Sequence, residues 1–207
     1  MVDAVEGIRQ GLSDMDVPCS IGQAQQLLAY LLMLKKWNRV FNLTAVDRLE
    51  DSINRHVLDS ASVLRFLRGN RVLDVGTGAG LPGIPLAILD PERLYVLLDS
   101  SAKKIRFIQQ VVIDLGLKNV QPIAMRIEDF DPVEGFDSIT SRAFSSLELF
   151  AGAAYRLLSA KGSLIALKGR LPVEEMGQVD IDGLKVHKIL VPGLGLERHI
   201  IEIPKGA

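Results

Sequence analysis

The stretch Val72-Leu73-Asp74-Val75-Gly76-Thr77-Gly78-Ala79-Gly80 decides the fold class of this 207-residue chain. An apolar run ends in an acid, and three glycines then follow at alternate positions. Glycine permits positive φ and lets a ligand approach the backbone closely. Pro82 or Pro85 falls where the first turn of a helix would lie, and there a missing N–H costs little. The stretch therefore predicts a strand, a glycine loop and a helix, the arrangement that binds a nucleoside cofactor.

A second acid, Asp99, ends the next apolar run, 23 residues after Gly76. Its carboxylate can accept hydrogen bonds from both ribose hydroxyls of a nucleoside. Dinucleotide enzymes share this geometry, but their usual loop is Gly-x-Gly-x-x-Gly and holds a pyrophosphate at a helix N-terminus. Here Asp74 precedes the glycines, and we expect its carboxylate to suit the ammonium of a methionine moiety and to repel a pyrophosphate. The pattern favours S-adenosylmethionine, with a compact NAD-dependent dehydrogenase as an alternative.

Around this loop, short apolar runs alternate with helical patterns, which is typical of βαβ units and a parallel sheet. Strands are predicted at 71–75, 94–98, 120–124, 136–140 and 163–167. Helices are predicted near 83–89, 102–115 and 146–158. Two further β-rich runs, 184–191 and 198–203, flank Pro192-Gly193-Leu194-Gly195 and predict an antiparallel pair at the sheet edge.

The first 68 residues have a helical pattern instead. Ser20 and Gln23 form a capping-box sequence before leucines at helical spacing, which predicts a helix over 21–38. A second helix is predicted after Asp47-Arg48-Leu49-Glu50, with an apolar stripe running from Ile53 to Leu67. We therefore expect a helical N-terminal extension over 1–68, packed on a Rossmann-like domain over 69–207.

Composition and charge limit the class of protein. The single cysteine, Cys19, excludes a disulfide framework and a cysteine-built zinc site. No secretory signal pattern precedes the first helix, and no apolar run is long enough to span a bilayer, so we expect a cytoplasmic monomer without a membrane contact. The net charge is −1, but residues 35–71 carry eight bases against four acids. This local excess is either a phosphate-binding face or an ordinary solvated surface.

The loop and several other segments resemble one known family. The stretch from Asp74 to Ile88 is similar to the cofactor loop of the bacterial 16S ribosomal RNA guanine-N7 methyltransferases, also called glucose-inhibited division protein B. Further similar segments occur in the same order over residues 20–203: Trp37-Asn38, Asn42-Leu43-Thr44, Arg55-His56-Val57-Leu58-Asp59-Ser60, Leu98-Asp99-Ser100, Ser141-Arg142-Ala143-Phe144, Leu167-Lys168-Gly169 and Glu197-Arg198-His199.

The resemblance implies a class I S-adenosylmethionine-dependent methyltransferase that methylates guanine N7 in 16S ribosomal RNA, free or within the 30S subunit. It implies that Gly76 and Leu81 line the cofactor loop, beside Gly78 and Asp99. It also implies that Ile127 and Glu128 meet the adenine and that Arg142 forms the far wall. From the residues alone, Glu128 is equally compatible with a helix cap or a solvated acid.

Guanine N7 has a free lone pair and no proton to lose, so no residue is predicted to act as a general acid or base. Methylation at pyrimidine C5 by the usual covalent route would need a cysteine in the cofactor domain, and Cys19 lies outside it. The residues after the fourth strand are Ser141-Arg142-Ala143-Phe144 rather than the Asn/Asp-Pro-Pro-aromatic loop common in exocyclic amine methylation. A ring nitrogen is favoured, while a small-molecule nitrogen or oxygen acceptor stays open.

Five residues are candidate substrate contacts. Arg142 and Phe144 follow the fourth strand, where a cation can bond guanine O6 and a ring can stack on a base; Arg142 paired with an acid and Phe144 in the core are the alternatives. Lys168 follows an apolar strand and is a candidate RNA contact or a surface lysine. Arg55 and His56 are expected to close the pocket or contact RNA, unless His56 is an interhelical histidine.

Other side chains are expected to be structural. Trp37 is predicted to lie in the core. His187 and His199 join no cluster with metal-ligand spacing, so no metal is predicted. A non-catalytic RNA-binding factor that keeps the cofactor fold is a further alternative, but the intact Asp74, glycines and Asp99 argue against it.

Overall fold

The computed structural model describes residues 2–46, 48–142, 146–169 and 183–206. Their strands form one sheet of seven in the order β3-β2-β1-β4-β5-β7-β6. The strands are β1 (Arg71–Val75), β2 (Leu94–Asp99), β3 (Val120–Ala124), β4 (Phe136–Ser141), β5 (Leu158–Lys168), β6 (Lys185–Ile189) and β7 (Arg198–Pro204).

The first five strands are parallel, and the last two are antiparallel to their neighbours. β1 pairs with β2 on one side and with β4 on the other, so the order of the strands reverses beside β1. Ligands of open α/β sheets bind at such a reversal, outside the carboxyl ends of the strands. β7 runs antiparallel to β5, with Lys168 opposite His199, and β6 forms the sheet edge. The predicted antiparallel pair at the edge is confirmed.

Seven α-helices are described. They are α1 (Val2–Ser13), α2 (Ile21–Phe41), α3 (Leu49–Ser52), α4 (Asp59–Ala61), α5 (Gly83–Leu89), α6 (Ala102–Leu115) and α7 (Leu147–Ala154). The predicted capping box of α2 is present, since Ser20 Oγ accepts from the Gln23 backbone and Gln23 Oε1 accepts from the Ser20 backbone. The same Gln23 side chain donates to the carbonyls of Ile88 and Leu89 at the end of α5. One residue thus begins α2 and docks it on α5.

The sheet is covered on both faces because its strands alternate their apolar side chains between two cores. Val72 packs on the face covered by α1, α2, α5 and α6, and Leu73 on the face covered by α7. Residues of α1 and α2 therefore belong to the same core as the central strands. The division at residue 68 stays a prediction, and the described helices before it share a core with the sheet.

The second predicted N-terminal helix is not continuous. Between α3 and α4, Ile53–Leu58 is a π-helix, in which Asp59 N–H bonds to Asn54 O, five residues earlier. A 3-10 turn, Leu64–Phe66, follows α4. His56 and Asp59 are buried in this segment together with the apolar residues between them. Such π-segments are rare and often occur at functional sites. The predicted cap Asp47 lies outside the described residues.

The predicted helix over 146–158 is too long. α7 ends at Ala154, a 3-10 turn spans Tyr155–Leu157, and β5 begins at Leu158 instead of 163. A register shift between Phe136 and Ser138 lets the first part of β5 pair with β4. Gly162 lies against the backbone of β4, and a Cβ at this position would lie only 2.6 Å from the carbonyl oxygen of Phe136. Within the described residues, no helix is long and apolar enough to cross a membrane.

Candidate functional site at the carboxyl ends of the strands

A cleft of about 300 Å³ opens where β1, β2 and β3 end. It lies beside the reversal of strand order, where the fold predicts a ligand site. Two larger grooves are lined mainly by helical and loop residues, and neither includes the ends of β1, β2 or β3. The residues that line the cleft are Val75, Gly76, Leu98, Asp99, Ser100, Lys104, Met125, Arg126, Ile127 and Glu128.

The glycine loop begins at the cleft, which Val75 and Gly76 line. The backbone N–H groups of Gly76 and Thr77 donate to Leu98 O, at 2.8 and 3.1 Å, which fixes the loop to the end of β2. Gly76 and Gly78 have φ of 67° and 62°, in the left-handed region that favours glycine. A Cβ at Gly78 would meet no heavy atom closer than 3.9 Å, so the backbone there faces open space. The loop thus presents bare backbone to a ligand, as the sequence predicts.

Asp99 connects the loop to the next helix. Its Oδ2 accepts from Gly78 N–H at 2.9 Å and lies 3.3 Å from Lys104 Nζ, while Oδ1 accepts from Ser101 N–H at 2.9 Å. A carboxylate has about four acceptor positions, so acceptor capacity remains for a ribose hydroxyl. The nearby ammonium of Lys104 was not anticipated from the sequence. Asp99 therefore lines the cleft, and its contact with a ribose stays a prediction.

Asp74 does not lie at the cleft surface, contrary to the expectation that it would meet an ammonium. It is 1% exposed. Its Oδ2 accepts from Thr77 Oγ1 and Gly83 N–H at 2.7 and 3.0 Å, and its Oδ1 accepts from Thr140 Oγ1 at 3.2 Å. Burial raises the pKa of this carboxyl to about 6, although these hydrogen bonds act to lower it. Asp74 ties β1, the glycine loop and the start of α5 together.

The opposite wall of the cleft follows β3. Ile127 is buried at 8% exposure in a 3-10 turn, Ile127–Asp129, and Glu128 beside it is exposed. Arg156, from the turn after α7, donates through Nη2 to the carbonyls of Ile127 and Phe130 at 2.8 Å each and thereby fixes the turn. An apolar side chain next to an exposed carboxylate suits a purine ring with an amino group.

Leu81 packs away from the cleft. It is 6% exposed and belongs to the core shared with the helical extension. Its backbone N–H donates to Thr77 O at 2.8 Å, which closes the turn of the glycine loop. The structure therefore places Leu81 in the loop that the resemblance implies, but not among the lining side chains.

Arg142 lies on the other side of β1, after the last residue of β4. Its Nη1 donates to Arg55 O at 3.0 Å and lies 3.3 Å from Asp59 Oδ2. The structure does not bring Arg142 into the cleft around Asp99. It pairs with an acid, as the structural alternative predicted, and its side chain remains 29% exposed.

His56 and Arg55 face opposite environments on the π-helix. His56 is 2% exposed, and its Nε2 lies 3.1 Å from Thr44 Oγ1. Burial, and next the positive charge of Arg142, lower the pKa of His56 to about 4. A neutral buried imidazole is what the interhelical interpretation predicts. Arg55 is exposed near Arg142, so only Arg55 keeps a surface position for substrate.

The last two predicted substrate contacts are Lys168 and Phe144. Lys168 ends β5 and is half-buried opposite His199 of β7. His199 Nδ1 lies 3.1 Å from Gly169 O, so the turn after β5 is held by the tail. Phe144 lies outside the described residues. Trp37 is partly buried and packs against Phe107 of the core with ring centroids 5.4 Å apart, so it lies at the edge of the core that was predicted for it.

The comparisons with known proteins agree with this geometry. Residues 23–201 match the family model described as rRNA small subunit methyltransferase G. The chain belongs to this family.

Curated relatives match at nearly full length. Ribosomal RNA small subunit methyltransferase G of Methylococcus capsulatus is 49% identical over 198 residues, which cover 95% of this chain and 96% of the relative. The protein of the same name from Shewanella amazonensis is 43% identical over 203 residues, covering 97% and 98%. The alignment includes both the helical extension and the sheet, so the methyltransferase G family architecture extends over both.

Solved structures show the same fold at low sequence identity. A precorrin-6y C5,15-methyltransferase from Geobacter metallireducens has a TM-score of 0.55 at 18% identity, covering 81% of this chain and 92% of that one. The N-methyltransferase NodS from Bradyrhizobium japonicum has a TM-score of 0.55 at 14% identity, covering 78% and 100%. The fold is that of class I methyltransferases, and S-adenosylmethionine is the cofactor expected for a methyltransferase G family member.

The residues in the cleft fit this cofactor. The backbone of Gly76, the carboxylate of Asp99 and the apolar side chain of Ile127 suit a methionine tail, a ribose and an adenine, in that order. Gly78 lies in the same loop but not among the lining residues. Among the described residues, no group of three or more histidine, cysteine or acidic side chains is arranged to hold a metal ion.

Sequence reasoning missed three residues that shape the methyltransferase G family site. Tyr30 of α2 is fully buried, and its hydroxyl donates to Ala79 O in the glycine loop at 2.9 Å. Asp59 and Arg198 form an ion pair near Arg142, with 2.7 Å between Arg198 Nε and Asp59 Oδ1. A tyrosine in an apolar helix and an acid in an apolar run were signals, since a buried polar group requires a partner. Asp59 and Arg198 also lie in two of the segments that resemble the family.

Proposed function

We propose that this chain is an S-adenosylmethionine-dependent methyltransferase that methylates N7 of a guanine in 16S ribosomal RNA of the small subunit. The observation that carries the proposal is the family match over residues 23–201, which includes the cleft and the strand ends around it. Relatives at 42–49% identity carry the name ribosomal RNA small subunit methyltransferase G. The expected product is N7-methylguanine, made on free 16S RNA or on the 30S subunit.

The cofactor would be held by the residues at the carboxyl ends of β1, β2 and β3. We assign the ribose to Asp99, the methionine part to the backbone of Gly76 and Gly78, and the adenine to Ile127 and Glu128. When bound, S-adenosylmethionine supplies an electrophilic methyl group on a sulfonium. The protein's task is then to align the acceptor nitrogen with that carbon and to exclude water, and such orientation contributes about 7 kcal/mol or more to a reaction of this kind.

No general base is required in this proposal. Guanine N7 would accept the methyl group that the bound cofactor supplies through its free lone pair, and no proton would leave the acceptor. The buried His56, whose pKa is lowered to about 4, and the internally paired Asp74 are then structural. Arg142, 29% exposed beyond β4, is the candidate to contact the target guanine or its phosphate.

The RNA backbone would be met in part by α2. Ile21–Phe41 contains no acid, and its bases Lys35, Lys36 and Arg39 are all exposed. Lys103, at the start of α6, lies 5.5 Å above the ring of Phe41 and continues this basic surface toward the cleft. Clustered bases on a protein of net charge −1 favour a polyanionic partner at this face.

Methyl transfer with a radiolabelled cofactor tests the proposal. Wild-type protein is incubated with 30S subunits, naked 16S RNA and a panel of small nitrogen and oxygen acceptors, and the labelled base is then mapped. We expect label on one guanine, at N7, in the RNA or the subunit. Label found only on a small molecule would overturn the RNA assignment, and tight NAD binding without S-adenosylmethionine binding would overturn the enzyme class.

A further inference from the structure

Asp59 is a buried acid that joins three distant parts of the chain. Its side chain is 4% exposed. Oδ1 accepts from Arg198 Nε at 2.7 Å, and Oδ2 lies 3.3 Å from Arg142 Nη1. α4, the end of β4 and the start of β7 therefore meet at one carboxylate, across sequence separations of 83 and 139 residues.

The two arginines use only part of their hydrogen-bonding capacity in this arrangement. Arg142 donates through Nη1, to Asp59 and to Arg55 O, and Arg198 donates through Nε and Nη1. Each guanidinium has five N–H donors in a planar fork that suits phosphate oxygens. The side chains of Arg142 and Arg198 are 29% and 22% exposed. Two cations against one buried acid leave a net positive charge at the surface.

The position of this pair suits the acceptor side of the reaction. Arg142 follows β4, which neighbours β1 on the side opposite Asp99. Arg198 begins β7 beside the end of β5, because Lys168 pairs with His199. The pair therefore lies at the carboxyl edge of the sheet, across β1 from the cofactor cleft.

We propose that Asp59 is a positioning residue for methyl transfer, which orders Arg142 and Arg198 as one cationic pair that binds an RNA phosphate beside the target guanine. The inference rests on the proposed RNA substrate. Asp59 acts through the arginines and touches neither cofactor nor RNA. Without its charge the two guanidiniums repel each other and separate, so the pair no longer matches a single phosphate.

The test compares Asp59→Asn with Glu50→Gln. Both variants remove one negative charge from the same helical segment, but the Glu50 side chain is 83% exposed and carries only a surface pair with Arg48. We measure kcat and KM for methyl transfer to the RNA substrate, the Kd for S-adenosylmethionine and the urea midpoint. Asp59→Asn is expected to raise KM for RNA roughly tenfold, with the cofactor Kd within about twofold of wild type. Glu50→Gln is expected to match wild type.

Arg198→Gln and the double variant Asp59→Asn/Arg198→Gln complete the experiment. Arg198→Gln is expected to raise KM roughly tenfold, and the double variant is expected to be no worse than either single one, because residues that act as a unit are not additive. If Asp59→Asn does not fold, Arg198→Gln alone tests the pair.

Three results would overturn the inference. These are an unchanged KM in Asp59→Asn or Arg198→Gln, multiplicative effects in the double variant, and a loss of Asp59→Asn activity that matches its loss of cofactor binding. The last would mean that Asp59 is only structural. Failure of wild-type protein to methylate RNA would instead reject the proposed function, so the two failures are distinguishable.

Discussion

The two sides of β1 are built in different ways. On the cofactor side, the polar contacts of Asp99 reach residues 21, 2 and 5 positions away in the chain. On the acceptor side, Asp59 reaches arginines 83 and 139 positions away, and Asn54 donates to Gly193 O, also 139 away. The cofactor half is thus assembled mainly by consecutive βα units, while the acceptor half forms only when the helical extension meets the C-terminal tail.

This difference indicates which parts of the chain determine cofactor binding and which determine acceptor binding. The cofactor half uses strand ends and a glycine loop, an arrangement that recurs in open α/β folds that bind nucleosides. The acceptor half uses buried polar contacts between distant segments, which are free to differ between enzymes that share the fold. Substitutions should therefore separate the two halves experimentally.

The sharpest separation is expected from Asp99→Ala. The variant loses the charge-assisted hydrogen bonds of Asp99 to the ribose and to the Gly78 N–H of the glycine loop, worth about 3 kcal/mol together, so the affinity for S-adenosylmethionine should fall roughly 100-fold. Isothermal titration calorimetry measures this directly. Asp129→Ala, which removes an exposed acid in the turn beside the cleft, serves as the control and should bind normally. Unchanged affinity in a folded Asp99→Ala protein would remove the ribose assignment.

On the acceptor side, His56 should make stability depend on pH. Its pKa is about 4 in the folded protein against 6.5 when exposed, so the unfolded chain binds the proton more tightly. The stabilisation is fully present above pH 6.5 and is lost as the pH falls toward 4, up to about 3 kcal/mol in total.

Asp74 acts in the opposite direction over an overlapping range. Its pKa is raised from 3.8 to about 6, so its contribution to stability decreases as the pH rises through that interval. Urea unfolding of wild type and His56→Gln between pH 4.5 and 7.5 isolates the histidine, because Asp74 is common to both. The difference in unfolding free energy should grow with pH, and a difference that stays constant would show that His56 is not buried neutral.

A smaller effect is expected from the basic surface of α2. Replacing Lys35, Lys36 and Arg39 together by glutamine should weaken RNA binding about tenfold at low salt and reduce the slope of log affinity against log salt by about 2. Filter binding at several salt concentrations measures both values, and cofactor affinity should not change.

The matched control for that variant replaces three exposed lysines elsewhere, Lys118, Lys161 and Lys185. It changes the net charge by the same amount but leaves α2 intact. Equal losses in the two triple variants would mean that overall charge, and not this face, attracts the RNA.

The smallest effect is expected at the hydrogen bond that connects α2 to the glycine loop. Tyr30→Phe removes the hydroxyl that donates to Ala79 O and leaves that buried carbonyl without its partner. Stability should fall by about 1 kcal/mol, with a few-fold loss of cofactor affinity because the loop is less ordered. Tyr155→Phe, whose hydroxyl meets the exposed Gly206 N–H, is the control for removing a tyrosine hydroxyl and should cost less. A cofactor affinity equal to wild type would show that α2 does not support the loop.

The sequence predicted the cofactor half well because its signals are local. The strand before Gly76, the acid at Asp99 and the capping box at Ser20 each depend on residues that are close in the chain, and all three are present in the structure. Asp74 was misplaced because its burial depends on Thr140, from a strand 66 residues away. A strand-end acid can face the ligand or the interior, and spacing alone does not distinguish the two.

The acceptor half was only partly predictable for the same reason. Arg142 was correctly placed at the end of β4, but its partner Asp59 lies in a segment whose apolar spacing indicated an ordinary helix. The predicted apolar stripe is mostly buried, but so are all the other residues from His56 to Val63. Helical periodicity indicates one buried face and gives no signal for burial on all sides, so the burial of His56 and Asp59 followed only from the fold.

The double role of Gln23 has a consequence for protein engineering. One amide both completes the cap of α2 and satisfies two carbonyls at the end of α5, groups that a helix leaves without internal partners. A foreign N-terminal segment grafted onto this sheet would have to supply the same amide at the same place. Chimeras between family members should therefore exchange α2 and α5 together, since a junction between them separates a donor from its acceptors.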